Sequence, residues 1–469
     1  MSTFSGLNTA TTALWAQQRG LDVTGQNIAN VNTAGYSRQR AELQSVGGNA
    51  VPAMYAVSNQ VGQGVDADKV IRIRDAFLES RAQAETATSA RLTVADDTLA
   101  QIEQAFREPG ATGIQAKMTA VYTAWSDVAN HPTEDGARSA VLQKTATLVA
   151  ELNTTSANLD EQWTQTRDSL DVLAQDVNAT AASIAELNTA IKRGTQSGLP
   201  VNELADKRDA LVLQLSAAIG ATTSPGDDGQ VNVVVAGATL ISGGSATSLK
   251  VVGTIDPAAA TAGDPRFLTD PGGTPLNLGG TAGGKLAALS VTIPAYRTAL
   301  DGVAQQIADE FNAAQTGGVD KTGVRGTAMF DDGAGGATVT AASISLRLTD
   351  TAQLAAAGLA TEGQPTSDNT NAKAVAALQD RSGGAVVGYR KLIVGLGVQA
   401  AVASSNLQTQ AVVASQVDAS RESVSGVNLD EEMTNMLQFQ HAYSAVARMI
   451  TTIDETLDVL INRTGRVGL

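Results

Sequence analysis

Apolar residues recur every three or four positions along the C-terminal run from Leu429 to Ile461. With Leu429 taken as position a of a heptad, the a and d positions form one nearly continuous apolar series: Leu429, Met436, Phe439, Tyr443, Val446, Ile450, Ile453, Leu457 and Leu460. Only Glu432 interrupts the d positions. Because a helix can hide so narrow a seam only against another helix, the pattern predicts a long helix with a helical partner.

Polar residues mark the start of this helix. Asn428 is a favourable N-cap residue, and Glu431 follows three positions later, as in a capping box. Asp430, Glu431 and Glu432 suit the positive end of the helix dipole. The sequence therefore predicts that the helix begins directly after Asn428.

A second, weaker seam lies near the N-terminus. Its apolar residues repeat every seven positions: Leu7, Leu14, Leu21 and Ile28. The pattern stops at the turn and cap residues Asn30 and Gly35. Each terminal seam is incomplete, so the simplest topology is a hairpin in which the first and last helices pack antiparallel. The predicted facing residues on the last helix are Tyr443, Ile450, Leu457 and Leu460.

The central chain alternates between helical and extended patterns. Helices are predicted at 75–108, 114–128, 137–193, 202–219 and 294–314, and the chain is predicted to be mostly helical over 371–420. The third would form a rod of roughly 85 Å at about 1.5 Å per residue. Pro294 is expected in the first turn of its helix. Short β-like pieces, bounded by Gly and Pro, are predicted at 43–73, 221–284 and 317–348.

These elements predict a mainly α fold with inserted β structure. The expected architecture is a terminal antiparallel coiled-coil stalk, a body of bundled long helices and a small β-rich outer domain. The stalk comprises residues 1–40 and 428–469. The body comprises 41–220 and 285–427, with an extended linker and a small β-containing piece at 317–348, and the outer domain comprises 221–284.

The composition and charge of the chain make some classes of binding partner unfavourable. In 469 residues, 47 acidic residues outnumber 32 basic ones and give a net charge of −15, which disfavours nucleic acid or an anionic membrane as the main partner. The absence of cysteine excludes disulfides and thiolate metal sites. The N-terminus does not resemble a cleaved signal peptide, and no stretch is expected to span a membrane. Taken alone, these features predict a cytoplasmic protein.

No arrangement of residues indicates catalysis, a cofactor or a metal. His131 lies in a predicted turn, and His441 lies off the apolar seam of its helix without further donors one turn away. No glycine cluster has the spacing of a phosphate-binding loop. Trp15, Trp125 and Trp163 are expected to fill gaps between helices or subunits. The residues therefore favour a structural or interaction protein over an enzyme.

Both ends of the chain carry a family resemblance. The stretch from Gly25 to Leu43, GQNIANVNTAGYSRQRAEL, resembles the N-terminal signature of bacterial flagellar axial proteins, the family of rod, hook and hook-associated proteins. The stretch from Arg421 to Asn462 resembles the C-terminus of the hook-associated members that join hook to filament. DAFLESR at 75–81 and LADKRDALVLQLS at 204–216 are similar to the helical domain of those members. The signature residues are Asn30, Thr33, Gly35, Tyr36, Gly426, Asn428, Asp430 and Glu431.

The resemblance implies a structural subunit that is not an enzyme. Such proteins are exported unfolded through the flagellar type III apparatus without a cleaved signal peptide, which replaces the cytoplasmic prediction with an extracellular one. They form a ring on the hook tip and connect hook protein to hook-associated protein 3. Before export, a chaperone binds the C-terminal helix. The alternatives are another axial protein, such as hook-associated protein 3 or hook protein, or a secreted adhesin or enzyme.

Overall fold

The architecture is mainly helical, with small antiparallel sheets. The computed structural model describes residues 3–47, 62, 64–261 and 263–463. Parts of the predicted linker and stalk, residues 48–61 and 464–469, lie outside the described residues. The described helices are α1 (Thr3–Ala29), α2 (Ala76–Phe106), α3 (Ile114–Asn130), α4 (Asp135–Gln196), α5 (Asn202–Ile219), α6 (Gly280–Ala287), α7 (Ile293–Thr316), α8 (Thr370–Ala377), α9 (Ala385–Ser425) and α10 (Leu429–Asp458).

Local signals account for several helix ends. The Asp75 carboxylate caps α2 by accepting hydrogen bonds from the backbone nitrogens of Phe77 at 2.8 Å and Leu78 at 3.1 Å. α5 begins and ends where the sequence predicts, and it stops at Gly220 with φ of 74°. This left-handed conformation is accessible to glycine at little cost, and it satisfies the last turn of the helix.

The long helix α4 organises the body. Its 62 residues would span roughly 93 Å at about 1.5 Å per residue. Apolar side chains at three- and four-residue spacing are buried along it, among them Leu152, Leu159, Trp163, Leu170, Val177 and Ile184. The indole nitrogen of Trp163 donates to the Leu289 carbonyl at 3.0 Å, which satisfies the polar atom of this buried ring.

Helices α2 and α9 pack antiparallel on the body. The rings of Phe106 and Tyr389 lie 6.4 Å apart at one end of the pair. Farther along, the Gln410 amide donates to the Glu85 carboxylate at 2.7 Å. This packing brings the C-terminal end of α9 beside the start of α2, close to the terminal helices.

Five small antiparallel sheets complete the described chain. β1 (Gln39–Val46) pairs with β2 (Gly64–Arg72), and a β-bulge lies between Glu42 and Gln44. The remaining strands are β3 (Thr222–Pro225), β4 (Val231–Val235), β5 (Ala238–Ser242), β6 (Ser245–Ala246), β7 (Ser248–Val252), β8 (Arg266–Asp270), β9 (Pro275–Leu276), β10 (Gly318–Val319), β11 (Phe330–Asp331), β12 (Ser345–Leu346) and β13 (Ala357–Gly358). The sheets are β3-β4-β5-β6, β7-β8-β9, β10-β13 and β11-β12, besides β1-β2.

Two asparagines attach the inserted β structure to α4. The Asn188 amide donates to the carbonyls of Val231 at 2.7 Å and Gly243 at 2.8 Å. The Asn178 side chain both donates to and accepts from the Leu249 backbone, at 2.8 and 2.7 Å. Asn188 is buried, so these bonds satisfy its polar atoms while they hold the sheets against the helix.

The prediction that a helix begins near Pro294 is wrong. Helix starts at Gly280 and continues through a π-helical turn, Ala288–Thr292, into α7. Proline lacks an N–H and its ring crowds the preceding turn, and π-turns are one way in which helices absorb such defects. Leu289 and Ile293 before the proline and Tyr296 after it are buried, so packing on both sides carries the helix past the proline.

Candidate assembly site at the paired terminal helices

Helices α1 and α10 pack antiparallel in a single register. Three close pairs define it: Gly6 with Ile453, Gly20 with Phe439, and Asn27 with Glu432. In each pair the two residue numbers add to 459. Leu460 therefore lies beyond the level of the first residue of α1, and it cannot face any of the predicted contact residues of α1.

Small and polar residues form the buried face of α1. Across residues 6–29, the buried positions are Ala10, Ala16, Gly20, Thr24 and Asn27. The predicted contact residues Leu7, Leu14, Leu21 and Ile28 are half-buried at the sides of this face. The heptad pattern therefore predicted the helix correctly. It did not identify the positions where α1 and α10 come closest, at which small side chains of α1 leave room for large side chains of α10.

On α10, most of the predicted seam is half-buried. This applies to Met436, Phe439, Val446, Ile450, Ile453 and Leu457. Leu429 is 44% exposed, Tyr443 37% and Leu460 52%. Among the described residues of α10, Glu432 alone is buried, with 2% exposure. The residue that interrupts the apolar pattern is therefore the most deeply placed one in the helix.

Large apolar side chains are exposed along α10, and one, Trp15, is exposed on α1. Trp15 on α1 is 67% exposed, whereas Trp125 and Trp163 are buried in the body. Further exposed apolar residues on and just after α10 are Met433, Leu437, Met449, Val459, Leu460 and Ile461. An extended set of exposed large apolar side chains marks a surface that contacts other molecules.

Asn27 is the centre of the contact between the two termini. Its amide nitrogen donates to Glu432 at 3.1 Å and to the Gln39 carbonyl at 2.9 Å. Its side-chain oxygen accepts from the Tyr36 hydroxyl at 2.8 Å and from the Gln39 backbone nitrogen at 3.0 Å. The two donors and two acceptor sites of this buried amide are all used, so the side chain is held in one orientation.

Arg38 joins the same cluster from the other side. Its guanidinium lies 2.7 Å from a Glu432 carboxylate oxygen and 2.8 Å from one of Glu431. Its backbone nitrogen donates to the Ser425 carbonyl at 2.9 Å, at the end of α9. We refer to Asn27, Arg38 and Glu432 together as the terminal latch.

Asn428 caps the start of α10 as predicted, but Glu431 does not complete the predicted capping box in the described structure. The Asn428 side chain accepts from the backbone nitrogens of Asp430 at 3.0 Å and Glu431 at 3.3 Å. The Glu431 carboxylate pairs with Arg38. Gly426 precedes the cap, and a Cβ atom there would lie 2.4 Å from the Glu422 carbonyl oxygen, so only glycine fits this turn.

The N-terminal signature forms a compact turn after α1. Thr33 donates from its backbone nitrogen to the Asn30 carbonyl at 2.9 Å and from its hydroxyl to the Asn30 side chain at 3.1 Å. Gly35 has φ of 80°, where other residues are strained. Burial, with the nearby carboxylates of Asp206 and Glu432, raises the pKa of Tyr36 to about 12. Its hydroxyl therefore stays protonated and donates to Asn27.

A second ionic cluster ties the signature turn to the body. The Ser37 backbone nitrogen donates to Asp206 of α5 at 3.2 Å, and Arg72 of β2 binds both Asp206 and Asp209 at 2.8 Å. Arg74 also pairs with Asp209. The terminal helices are therefore linked through β2 to α5.

Asp209 is the anionic centre of this second cluster. Burial by itself would raise the pKa of Asp209, but the guanidinium groups of Arg208, Arg74 and Arg72 hold it below its ordinary value. The carboxylate consequently stays charged and keeps its cationic neighbours in place.

A polar cleft of about 620 Å³ opens beside these clusters. It is lined by the signature residues 30–37, by Arg74 and Glu79, and by residues of the end of α9 and the following turn: Asp418, Arg421, Glu422, Ser425, Gly426 and Val427. Arg421 lies 3.6 Å from Glu79, which joins the end of α9 to the start of α2. The two signatures, far apart in sequence, are therefore neighbours in the fold.

Sequence reasoning missed Asn27, Arg38 and Gly20 as contact residues and treated Glu432 as a break. A polar residue inside an apolar repeat was the available signal for Glu432, whereas Asn27 lies outside the repeat of α1. Both histidines are exposed, and the Nδ1 atom of His131 lies 3.2 Å from Asp127. Among the described residues, no group of three or more His, Asp or Glu side chains is placed to hold a metal ion.

One result differs from the expectation about membrane spans. By length and composition, the helical run 370–461 contains a stretch apolar enough to cross a membrane, although only 22% of that stretch is buried. A single stretch of this kind is weak evidence for a span. Val394, Val398 and Val402 repeat every four residues on α9 and are exposed, so they form a short apolar strip on this part of the helix.

Comparison with known protein families shows which class of protein has terminal helices of this kind. Residues 7–36 match the flagella basal body rod protein family, and residues 415–463 match the C-terminal family of the flagellar basal body rod FlgEFG proteins. A shorter segment is 41% identical over 83 residues to the basal-body rod protein FlgG of Caulobacter vibrioides. The paired termini are thus those of flagellar axial proteins.

The rest of the chain identifies the particular family. Residues 99–330 match the helical domain of the flagellar hook-associated protein FlgK. The chain is 30% identical to flagellar hook-associated protein 1 of Bacillus subtilis over 100% of its own length and 99% of that protein. It is 27% identical to the Escherichia coli protein of the same name, over 97% and 99% of the two chains. The chain belongs to the family of flagellar hook-associated protein 1.

A solved structure supports the fold. The flagellar hook junction protein FlgK of Burkholderia pseudomallei superposes with a TM-score of 0.64 and 16% identity, over 74% of this chain and all of that one. Family membership makes the protein a structural component of the flagellar hook–filament junction rather than an enzyme. It also implies the extracellular flagellum as its location.

Proposed function

We propose that the protein polymerises as a ring on the hook tip and connects hook protein to hook-associated protein 3. The observation that carries this proposal is the terminal helix pair, in which α10 exposes Met433, Leu437 and Met449 and α1 exposes Trp15. A helix pair that hides one seam and exposes another is suited to contacts between neighbouring subunits. The family resemblance supplies the hook on one side and the next junction protein on the other.

In the assembled ring, α1 and α10 form the inner tube as an antiparallel coiled coil. The helical body and the inserted β structure form the outer wall. Under this proposal the stalk is 1–40 with 428–469, the body is 41–220 with 285–427, and the outer domain is 221–284. The ionic clusters around Glu432 and Asp209 support a rigid connection between stalk and body.

Before assembly, an export chaperone covers the C-terminal helix, and the unfolded chain passes through the flagellar type III export apparatus. Met433, Leu437 and Met449 support this step because they offer an apolar surface along α10 before any subunit neighbour is present. The chaperone and the neighbouring subunit would then use the same helix at different times.

A pair of matched substitutions tests the role of this surface. Leu437 on α10 is 55% exposed, and Leu199, in the loop between α4 and α5, is 63% exposed. We expect Leu437→Asp to abolish cross-linking to hook protein and motility, while Leu199→Asp leaves both unchanged. Secretion of each variant into the medium must be measured, because it separates failed export from failed assembly.

Removal of the last helix gives a stronger version of the test. A chain ending at Gly426 should fold in its body, as judged by circular dichroism, yet fail to join hooks. Cells would then shed flagellin into the medium. Normal motility of such a strain is incompatible with the proposed function.

A further inference from the structure

A repeat of seven residues leaves the register of two helices ambiguous. In the observed register, Gly6 lies against Ile453. Val446 and Leu460 lie one heptad to either side of Ile453 on the same apolar series. A slip of one heptad, about 10.5 Å, would again place an apolar residue opposite Gly6. The apolar seam alone therefore does not select one alignment.

Glu432 removes this ambiguity through its partners. A slip in one direction places Glu432 at the level of Gly20, where the neighbouring buried side chains, Ala16 and Thr24, carry no charge. Arg19 is adjacent in sequence but exposed. A buried carboxylate without a cation is strongly unfavourable.

The opposite slip is disfavoured by Asn27. It places the ring of Phe439 at the level of Asn27, whose buried amide makes four hydrogen bonds in the observed register. Arg38 would also lose its contact with Glu432, which is 2.7 Å in length. An unsatisfied buried amide is costly, so this alignment is unfavourable as well.

We infer that the terminal latch of Asn27, Arg38 and Glu432 selects the register of the terminal helices. A buried polar group in an apolar seam is best attested in this role, and it gives specificity at some loss of stability. The register in turn decides which apolar residues remain on the outer surface. Register selection concerns one chain only, so it holds whether or not the chain joins hook to filament.

Cross-linking between introduced cysteines tests this directly because the natural chain has none. Gly6→Cys is combined with Ile453→Cys for the observed register, or with Val446→Cys or Leu460→Cys for the two slipped registers. A short bismaleimide, which spans less than a heptad slip, is applied to the purified full-length chain. Intramolecular products are quantified by mass spectrometry.

In the natural background we expect the observed pair to dominate. Glu432→Leu should raise the ratio of slipped to observed products by roughly tenfold, while circular dichroism and the body's thermal unfolding stay unchanged. Glu432→Gln is almost isosteric, can still accept from Asn27, and should give a smaller increase. Glu431→Gln is the matched control, since Glu431 also pairs with Arg38 but is 58% exposed.

The outcomes are separable. An increase in the ratio of slipped to observed cross-linked products for the Glu432 variants, without an increase for Glu431→Gln, supports register selection. The same product ratio in all backgrounds overturns it, and so does an equal rise in the Glu431 control. If Glu432→Leu does not fold, the ratio in Glu432→Gln decides the question alone.

Discussion

Gly20 offers the most direct test of how α1 packs against α10. A Cβ atom at this position would lie 2.6 Å from Cε1 and 2.7 Å from Cδ1 and Cζ of Phe439. Favourable contact between carbon atoms needs about 3.5–4.0 Å. Gly20→Ala therefore requires the ring or the helix to move by roughly 1 Å.

The expected loss of stability of the terminal helix pair in Gly20→Ala follows from two opposing effects. Overpacking of this kind costs about 1–3 kcal/mol, whereas replacing glycine by alanine inside a helix contributes about 0.8–1 kcal/mol. Phe439 is half-buried, so its ring can turn towards solvent and lose only part of its packing. The net destabilisation of the terminal pair should be about 1 kcal/mol, a factor of about five in the opening equilibrium.

Hydrogen exchange at labelling times of seconds measures this local opening. Peptides from α1 and α10 should lose protection by about fivefold in Gly20→Ala, while peptides from α4 stay unchanged. Gly25→Ala is the matched control in the same helix, because a Cβ atom added there would meet no other atom within 4 Å. It should gain protection through helix propensity alone.

Equal protection in Gly20→Ala and the natural chain would refute this packing. A gain in hydrogen-exchange protection as large as that of Gly25→Ala would also refute it, because it would mean that Phe439 does not lie against Gly20.

Three further predictions concern the terminal clusters. In the monomer, residues 3–29 and 429–458 should exchange faster than α4, because a single helix pair buries less apolar surface than the body and therefore opens more readily; equal protection would contradict this. Asp209 has a lowered pKa in the folded state, so its stabilisation is complete above the ordinary value of 3.8 and is lost as the pH falls through the folded value. Asp209→Asn should lower the urea midpoint at neutral pH and weaken its acid dependence; an unchanged pH profile would exclude this role. Tyr36→Phe removes a donor to Asn27 and should cost about 1 kcal/mol in hydrogen-exchange protection at the end of α1, and unaltered protection there would contradict it.

The sequence was most informative where local chemistry decides the structure. The bounds of α5, the left-handed Gly220 and the Asn428 cap follow from residues within one turn of each other. The rod-like α4 follows from a regular apolar repeat along its whole length. Such features need no knowledge of distant parts of the chain.

Features that depend on distant residues could not be read in this way. Glu432 interrupts a local repeat, and its burial makes sense only with Asn27 and Arg38, about 400 positions earlier, beside it. The heptad search selected large residues of α1, although Gly20 marks the closest approach. Pro294 satisfied the rule for a helix start, but packing around Leu289 and Ile293 carries the helix through it.

A density map of the native hook–filament junction would show directly how the terminal helices assemble. We expect a ring of this protein between hook and filament, with α1 and α10 of each subunit antiparallel at the inner wall and Glu432 beside Asn27 and Arg38. Terminal helices on the outer wall, or a pairing in another register, would contradict this expectation.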